Sequence, residues 1–391
     1  MLSRDLVQRA ARASKRTFVS PWQNTARAKN MAAGFFGIMG QGLLSFPLSY
    51  MMAGESIGQN LTYQILRMAL IEFLVIPATF VILSRYPSRI FLALFQILST
   101  LVFFIDPTSG FLNAIAISCV AGAFWVFFNT NIALNQNRSN HGNEVALSYY
   151  LMVVAAALGY FLGGLLLQED RLTLAIVLGS AFNLIATMLI FTQLPKNDYL
   201  GSIKKLIGKD RPSTRITFLF AAMSTISDGC LPVWMRLVGM SPLSGGINMA
   251  LRPILGMILT PVAGWMAQKG SLRSGQMAVL AIVVGWLLIA GATQIHWLLA
   301  FALGMITVGT NLIGPMEATR WFKRRSAPSI MAREIVLGLG RVPAYAIGLP
   351  IIFFFPFAFP VLGLAASALF FFGIRTSRKG IAHTPTTPLI P

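Results

Sequence analysis

The sequence contains few of the residues that bind metals or form disulfides. Among 391 residues there are 2 cysteines and 3 histidines. Cys119 and Cys230 fall within apolar stretches, and His141, His296 and His383 are far apart along the chain. Metal sites and disulfide frameworks need such side chains at close, defined spacings. We therefore expect no disulfide, no metal site and no cofactor.

Charged residues are also scarce. They make up 11% of the chain, whereas hydrophobic residues make up 55%, and the mean hydropathy is +0.69. A chain of this composition cannot cover the surface of a soluble globule with polar groups. Apolar stretches of about 20 residues, each long enough to cross a bilayer, recur along the chain and lack the two-residue alternation of β-strands. We predict an all-α polytopic membrane protein with about twelve transmembrane helices, near residues 31–54, 62–83, 88–105, 111–135, 145–168, 172–194, 216–236, 244–267, 274–294, 297–317, 330–349 and 353–374.

Acidic residues are the rarer charge, at 12 against 31 basic ones, and the net charge is +19. Under the predicted helix map, 26 basic residues lie outside the helices or at their ends on one side of the membrane, and 2, Arg171 and Arg236, lie on the other. This asymmetry places both termini and the linker 195–215 in the cytoplasm. The charges are scattered over many segments, which argues against a nucleic-acid surface. The basic tail 1–30 is either a cytoplasmic tail, a segment that binds anionic lipid, or a targeting segment.

This topology can be tested with single cysteines at Ser202, in the linker, and at Ser56, between the first two helices. An impermeant thiol reagent should label the two positions from opposite sides of the membrane. Labelling of both positions from the same side would contradict the twelve-helix map.

The two halves of the sequence match at a nearly constant offset. Pro47, Gly54 and Arg67 recur 185 positions later as Pro232, Gly239 and Arg252. The basic turn Arg85 and Arg89 recurs 184 positions later as Lys269 and Arg273, Asn131 recurs as Asn311, and Glu144 recurs as Glu334. Six helices return the chain to the same side. The duplication therefore predicts two parallel six-helix bundles, 31–194 and 216–374, followed by a cytoplasmic tail, 375–391.

This arrangement resembles the major facilitator superfamily, and the resemblance covers residues 31–374. The family's signature turn is similar to the stretch containing Gly264, Lys269 and Arg273, in which Gln268 takes the acidic position; the first copy keeps Arg85 and Arg89.

The fifth helix contains Ala155-x-x-x-Gly159-Tyr160-x-x-Gly163-Gly164. It is similar to a motif of the family's drug and proton antiporters, without the proline, and this likeness hints at export. Close helix packing is the alternative, and we favour it.

Ionisable side chains inside predicted spans are costly unless they are paired or hydrated, so they are functional candidates. Asp228 and Glu72 are the candidates for proton coupling, because the resemblance places the seventh helix at the central cavity and the second among the gating helices. The alternative for Asp228 is a fixed ion pair with Arg252 or Arg341. Arg341 either receives an anionic substrate group or neutralises one of the two acids.

Two further groups of residues are assigned by depth and by helix. Arg67 and Arg252 lie in the outer third of their helices, where they either form an outer gate or reach the interface as anchors. Neutral polar residues of the first, fourth and tenth helices either line a substrate cavity or hydrogen-bond between helices. They are Gln41, Asn129, Asn131, Thr310 and Asn311.

These features predict a secondary active transporter that moves a small solute by alternating access and is coupled to protons; both export and import stay open, with the motif of the fifth helix hinting at export. No sequence motif of a membrane enzyme or a pore loop is found. The alternative is a transport-inactive receptor or assembly factor for another membrane component. We expect a monomer in the lipid bilayer, with a small molecule and protons as its partners. The expected location is a bacterial plasma (inner) membrane, with an organelle membrane as the alternative.

Overall fold

The computed structural model describes residues 25–85, 89–135, 141–190, 211–257, 272–292, 296–322 and 327–381. The described residues form twelve helices, in agreement with the predicted number. Their bounds are α1 Thr25–Gly54, α2 Ile57–Leu70 and Ile76–Arg85, α3 Arg89–Val102, α4 Gly110–Asn135, α5 His141–Gln168, α6 Leu172–Ile190, α7 Arg211–Ser224 and Leu231–Leu237, α8 Pro242–Met257, α9 Leu272–Ala292, α10 His296–Phe322, α11 Ala327–Phe354 and α12 Phe359–Ile381. Within these described ranges, eight helices are long and apolar enough to cross a membrane, and α3, α4 and α9 contain shorter apolar stretches.

The exposed surface identifies an integral membrane protein. Large apolar side chains are more than half exposed, among them Leu98 at 61% and Leu369 at 63%. Charged side chains such as Glu72 and Glu317 are at most 1% exposed. A soluble protein shows the opposite distribution, because burying an ion costs far more than burying an alkyl group. The exposed apolar side chains therefore face lipid.

The helices pack as two bundles, α1–α6 and α7–α12. The bundles meet where α5 packs on α8, where α2 packs on α11 and where the C-terminal segment of α7, Leu231–Leu237, packs on α1. Near this last contact, the Tyr50 hydroxyl of α1 donates a hydrogen bond to the Met240 carbonyl, just before α8. This is the two-bundle arrangement predicted from the duplication.

Two helices are interrupted by π-helical turns. In α2 the turn is Ile71–Val75, and in α7 it is Thr225–Gly229. Such turns break the regular hydrogen-bond ladder and are frequent at functional sites. Glu72 lies in the first turn and Asp228 in the second, so the two predicted proton-coupling residues both occupy irregular backbone.

The predicted helix ends differ from the observed ones at the end of the chain. The predicted eleventh helix ended at 349, whereas α11 includes Pro350 and continues to Phe354. The turn falls instead at Phe355 and the 3₁₀ segment Pro356–Ala358. The Trp234 indole of α7 donates a hydrogen bond of 3.0 Å to the Pro356 carbonyl and fixes the turn.

The glycines of the α5 motif lie where helices approach closely. A Cβ atom on Gly159 would lie 2.5 Å from the Met39 carbonyl oxygen of α1, and one on Gly163 would lie 3.0 Å from Pro47. A Cβ atom on Gly164 would lie 2.7 Å from the Pro242 carbonyl oxygen of α8. Helix packing alone accounts for this motif, because only glycine allows the backbones to come this close.

Gly164→Leu should therefore destabilise the interface between the bundles. The added side chain meets backbone atoms of Pro242 and Gly246, which cannot rotate away. Overpacking of this kind costs about 1–3 kcal/mol, which should appear as a lower Tm in detergent. Gly291→Leu is the matched control, because a Cβ atom on Gly291 would meet no atom within 4 Å. Equal loss of stability in both variants would contradict the close α5–α8 contact.

Candidate functional site

A cavity of about 380 Å³ lies between the two bundles. Helices α1, α2, α4 and α5 of the first bundle and α7, α8 and α11 of the second contribute its lining. Its polar and charged lining residues are Gln41, Ser45, Ser49, Arg67, Glu72, Asn129, Tyr160, Ser224, Thr225, Asp228, Arg333, Glu334, Arg341 and Tyr345. Ionisable groups buried together at a cavity are the usual mark of a binding site in a membrane protein.

Asp228 is exposed to the cavity and paired within its own bundle. Its Oδ1 atom lies 2.8 Å from Nη2 of Arg252 in α8, and its side chain is 43% exposed. The Ser227 hydroxyl donates a second hydrogen bond to Oδ1 at 3.1 Å. Arg252 also donates to the Ser227 carbonyl, at 3.1 Å. The predicted pairing of Asp228 with Arg252 is therefore present, but it does not join the two halves.

Glu72 forms an ion pair that does join the halves. Nη1 of Arg341, in α11, donates to Oε1 of Glu72, in α2. The Glu72 side chain is fully buried, whereas that of Arg341 is 32% exposed. Among the described residues, Oε2 of Glu72 has no hydrogen-bond partner. Arg341 thus neutralises Glu72, one of its two predicted roles.

A third charged cluster lies toward the linker side of the cavity. Arg333 of α11 binds Oε2 of Glu317, in α10, and Oε1 of Glu334, each at 2.8 Å. The amide of Asn129, in α4, donates to Glu334 at 2.9 Å and so connects the two bundles. The Thr217 hydroxyl of α7 donates to Glu317 at 2.7 Å. These charges connect helices α4, α7, α10 and α11.

Sequence reasoning missed this cluster. Arg333 was counted among the basic residues at helix ends, yet its side chain is only 7% exposed. The predicted tenth helix stopped at 317 and the eleventh began at 330, whereas α10 continues to Phe322 and α11 begins at Ala327. The match between Glu144 and Glu334 was the one signal that pointed to this region.

Arg67 differs from the other buried arginines. Its Nη2 atom lies 3.2 Å from the Tyr345 hydroxyl of α11, and its Nη1 atom lies 3.4 Å from the Tyr63 hydroxyl. The guanidinium carbon is 5.1 Å from the centre of the Tyr63 ring. Arg67 lines the cavity. The residue predicted for an outer gate is therefore part of the cavity wall.

The tenth helix contributes nothing to the cavity lining within the described residues, contrary to expectation. The Thr310 hydroxyl bonds to the Thr307 carbonyl of its own helix, and Asn311 does not line the cavity. Gln41 and Asn129 do line it. The remaining candidates lie outside the residues whose side chains the structure describes: Asn131, Arg85, Arg89, Gly264, Lys269 and Arg273.

Comparison with known proteins identifies the fold. No protein family matches the chain, and no curated protein matches it in sequence. The solved structure of the human organic anion transporter MFSD10 (TETRAN) matches with a TM-score of 0.66 at 13% identity, over 91% of this chain and 99% of that one. An outward-facing bacterial homologue of the iron transporter ferroportin matches with a TM-score of 0.63 at 14% identity, over 90% and 98%.

The major facilitator superfamily transporter FucP, in the outward conformation, matches with a TM-score of 0.59 at 14% identity, over 92% and 99%. At these identities the likeness defines the fold alone. The chain is thus an integral membrane protein with the major-facilitator fold, and the three structural neighbours are transporters.

Proposed function

We propose that this protein is a secondary active transporter that moves a small solute by alternating access. The single observation that carries the proposal is the charged cavity between two six-helix bundles. Polar contacts hold the bundles together on both sides of this cavity: Tyr50 with Met240 toward one side and Asn129 with Glu334 toward the other. A rocking motion of the bundles needs only to break one set of contacts while the other stays.

We propose further that transport is coupled to protons through Asp228. Its carboxylate is open to the cavity, so a proton can reach it while the cavity is hydrated. Its partner Arg252 belongs to the same bundle, so the pair can persist in both states of a rocking motion. Protonation of Asp228 ends its ion pair with Arg252, so uptake and release of the proton change the net charge of the cavity during the cycle.

Glu72 is the second coupling candidate and has a different position. Its ion pair with Arg341 crosses between the bundles, so opening at this contact must separate two charges. A proton taken up by Glu72 weakens the attraction and makes separation less costly. In this proposal Glu72 links protonation to the movement of α2 against α11.

Purified protein in liposomes tests the proposal. Solutes are added one at a time, and both their uptake and the pH inside the liposomes are measured under imposed pH gradients of either sign. We expect at least one solute to show uptake that depends on the pH gradient and is absent in protein-free vesicles. Both gradient signs are needed, since the α5 glycines serve helix packing and do not fix the direction. A protein that binds solutes without any flux would instead be the transport-inactive receptor.

A further inference from the structure

Among the described residues, four arginines lie at or beside the central cavity, and three of them face carboxylates. Arg252 contacts Asp228 at 2.8 Å, Arg333 contacts Glu317 and Glu334 at 2.8 Å each, and Arg341 contacts Glu72. Arg67 has no acidic partner among the described residues. Its guanidinium donates to the neutral hydroxyls of Tyr63 and Tyr345 and lies over the Tyr63 ring.

The sequence duplication explains why Arg67 lacks an acid. Arg67 and Arg252 are equivalent positions, 185 residues apart. Arg252 is neutralised by Asp228, and the residue 185 positions before Asp228 is Leu43. The first half therefore keeps the arginine and replaces its counter-ion with an apolar side chain.

Burial makes an unbalanced charge costly. Arg67 is only 5% exposed, and its Nε atom has no hydrogen-bond partner within the described part of the chain. Hydroxyl groups supply dipoles but no opposite charge, so they compensate a buried guanidinium less well than a carboxylate does. A guanidinium that lines a cavity with a free donor is prepared to receive an anion, because its planar N–H groups match a carboxylate or a phosphate.

We propose that Arg67 binds the anionic group of the substrate and that the substrate is an organic anion. This inference rests on the proposed transport function. The cavity is also lined by Trp125, Phe128 and Phe220, and more of its wall is apolar than polar. The cavity thus suits a molecule with one anionic head group and an apolar or aromatic body. Gln41, whose Nε2 atom has no partner among the described residues, is a further donor on the cavity wall.

A binding assay tests this proposal independently of transport. The full chain in detergent is titrated with phenylbutyrate, phenylbutyramide and phenylbutylamine, and with naphthyl and hexyl sets of the same three head groups. The midpoint of thermal unfolding is recorded. We expect at least one anion to raise the Tm more than its matched amide and amine do. In Arg67→Gln, binding of that anion should be at least about tenfold weaker, as expected for a lost charged hydrogen bond.

Two further variants control for loss of folding and for the loss of one positive charge. Arg67→Lys retains the buried cation and should fold if Arg67→Gln does not; it should still bind the anion more weakly than wild type, because it lacks the planar fork. Arg171→Gln removes an arginine from the exposed turn between α5 and α6 and should leave binding unchanged. Equal anion binding in wild type and both Arg67 variants overturns the proposal. So does stabilisation by the amines only, or by none of the anions.

Failure of this proposal can be distinguished from failure of the proposed function. Anion binding that depends on Arg67, without flux in liposomes, supports the anion site and contradicts transport. Flux of a neutral or cationic solute that is unaffected by Arg67→Gln supports transport and overturns the anion site.

Discussion

Asp228→Asn should reduce gradient-driven transport to the level of protein-free vesicles while leaving the protein folded. The amide keeps an oxygen that can accept the hydrogen bonds from Arg252 and Ser227, and Arg252 keeps its bond to the Ser227 carbonyl. The amide cannot take up or release a proton, so the coupling ion is lost. Exchange of substrate down its own gradient needs no net proton movement and should persist.

The matched control is Asp106→Asn. Asp106 is an exposed acid in the turn between α3 and α4, where two hydrogen bonds from Thr108 hold the pKa of its carboxyl below the usual range. It lies far from the cavity in the fold, so we expect wild-type accumulation. If Asp228→Asn still concentrates substrate with an unchanged dependence on pH, Asp228 is not the coupling site and its ion pair with Arg252 is structural.

The number of helices and the fold class could be predicted from the sequence because they depend on local properties. A stretch of about 20 apolar residues crosses a bilayer whatever its neighbours are. The duplication then fixes the relation between the halves, and matching positions such as Arg67 and Arg252 are both buried in the structure. Helix ends were less predictable: Pro350 fits within α11 because a proline in a membrane helix can be compensated by neighbouring groups.

The charged cluster around Arg333 could not be predicted for a physical reason. Near the end of a span, a charged residue can equally face the aqueous interface or be buried against a partner. Hydropathy does not distinguish the two. Glu317, which binds Arg333, belongs to α10. Asn129, which binds Glu334, belongs to α4. Only the packing of distant helices decides that these charges are buried.

The ion-pair partners of the cavity acids also could not be predicted from the sequence, because they depend on how the helices pack. The sequence allowed Arg341 to meet either Glu72 or Asp228, and the contact of α2 with α11 selects Glu72. The π-helical turns at Glu72 and Asp228 have no sequence signature of their own, because each is one extra residue accommodated within an otherwise regular helix. Arg67 was assigned to an outer gate from its depth alone, and its missing counter-ion is a property of the three-dimensional arrangement.

Arg341→Leu should be the most destabilising substitution at the cavity. It leaves the fully buried Glu72 carboxylate without its counter-ion, and breaking a buried ion pair costs about 3–5 kcal/mol. Glu72→Gln should cost less, because Arg341 is 32% exposed and can be hydrated from the cavity. Reversible unfolding in mixed micelles measures these differences.

The double variant Glu72→Gln with Arg341→Leu is the decisive comparison, because it removes both charges and leaves no unpaired ion. We expect it to recover most of the stability lost in Arg341→Leu. The loss in the double variant should then be smaller than the sum of the two single losses by more than about 0.5 kcal/mol, the deviation seen between independent sites. Arg375→Leu, at an exposed position of α12, controls for the loss of one positive charge and should stay near wild type. Strictly additive losses in the cycle would mean that Glu72 and Arg341 do not stabilise each other, and the contact between α2 and α11 would then depend on packing and on the hydrogen bond from Arg67 to Tyr345.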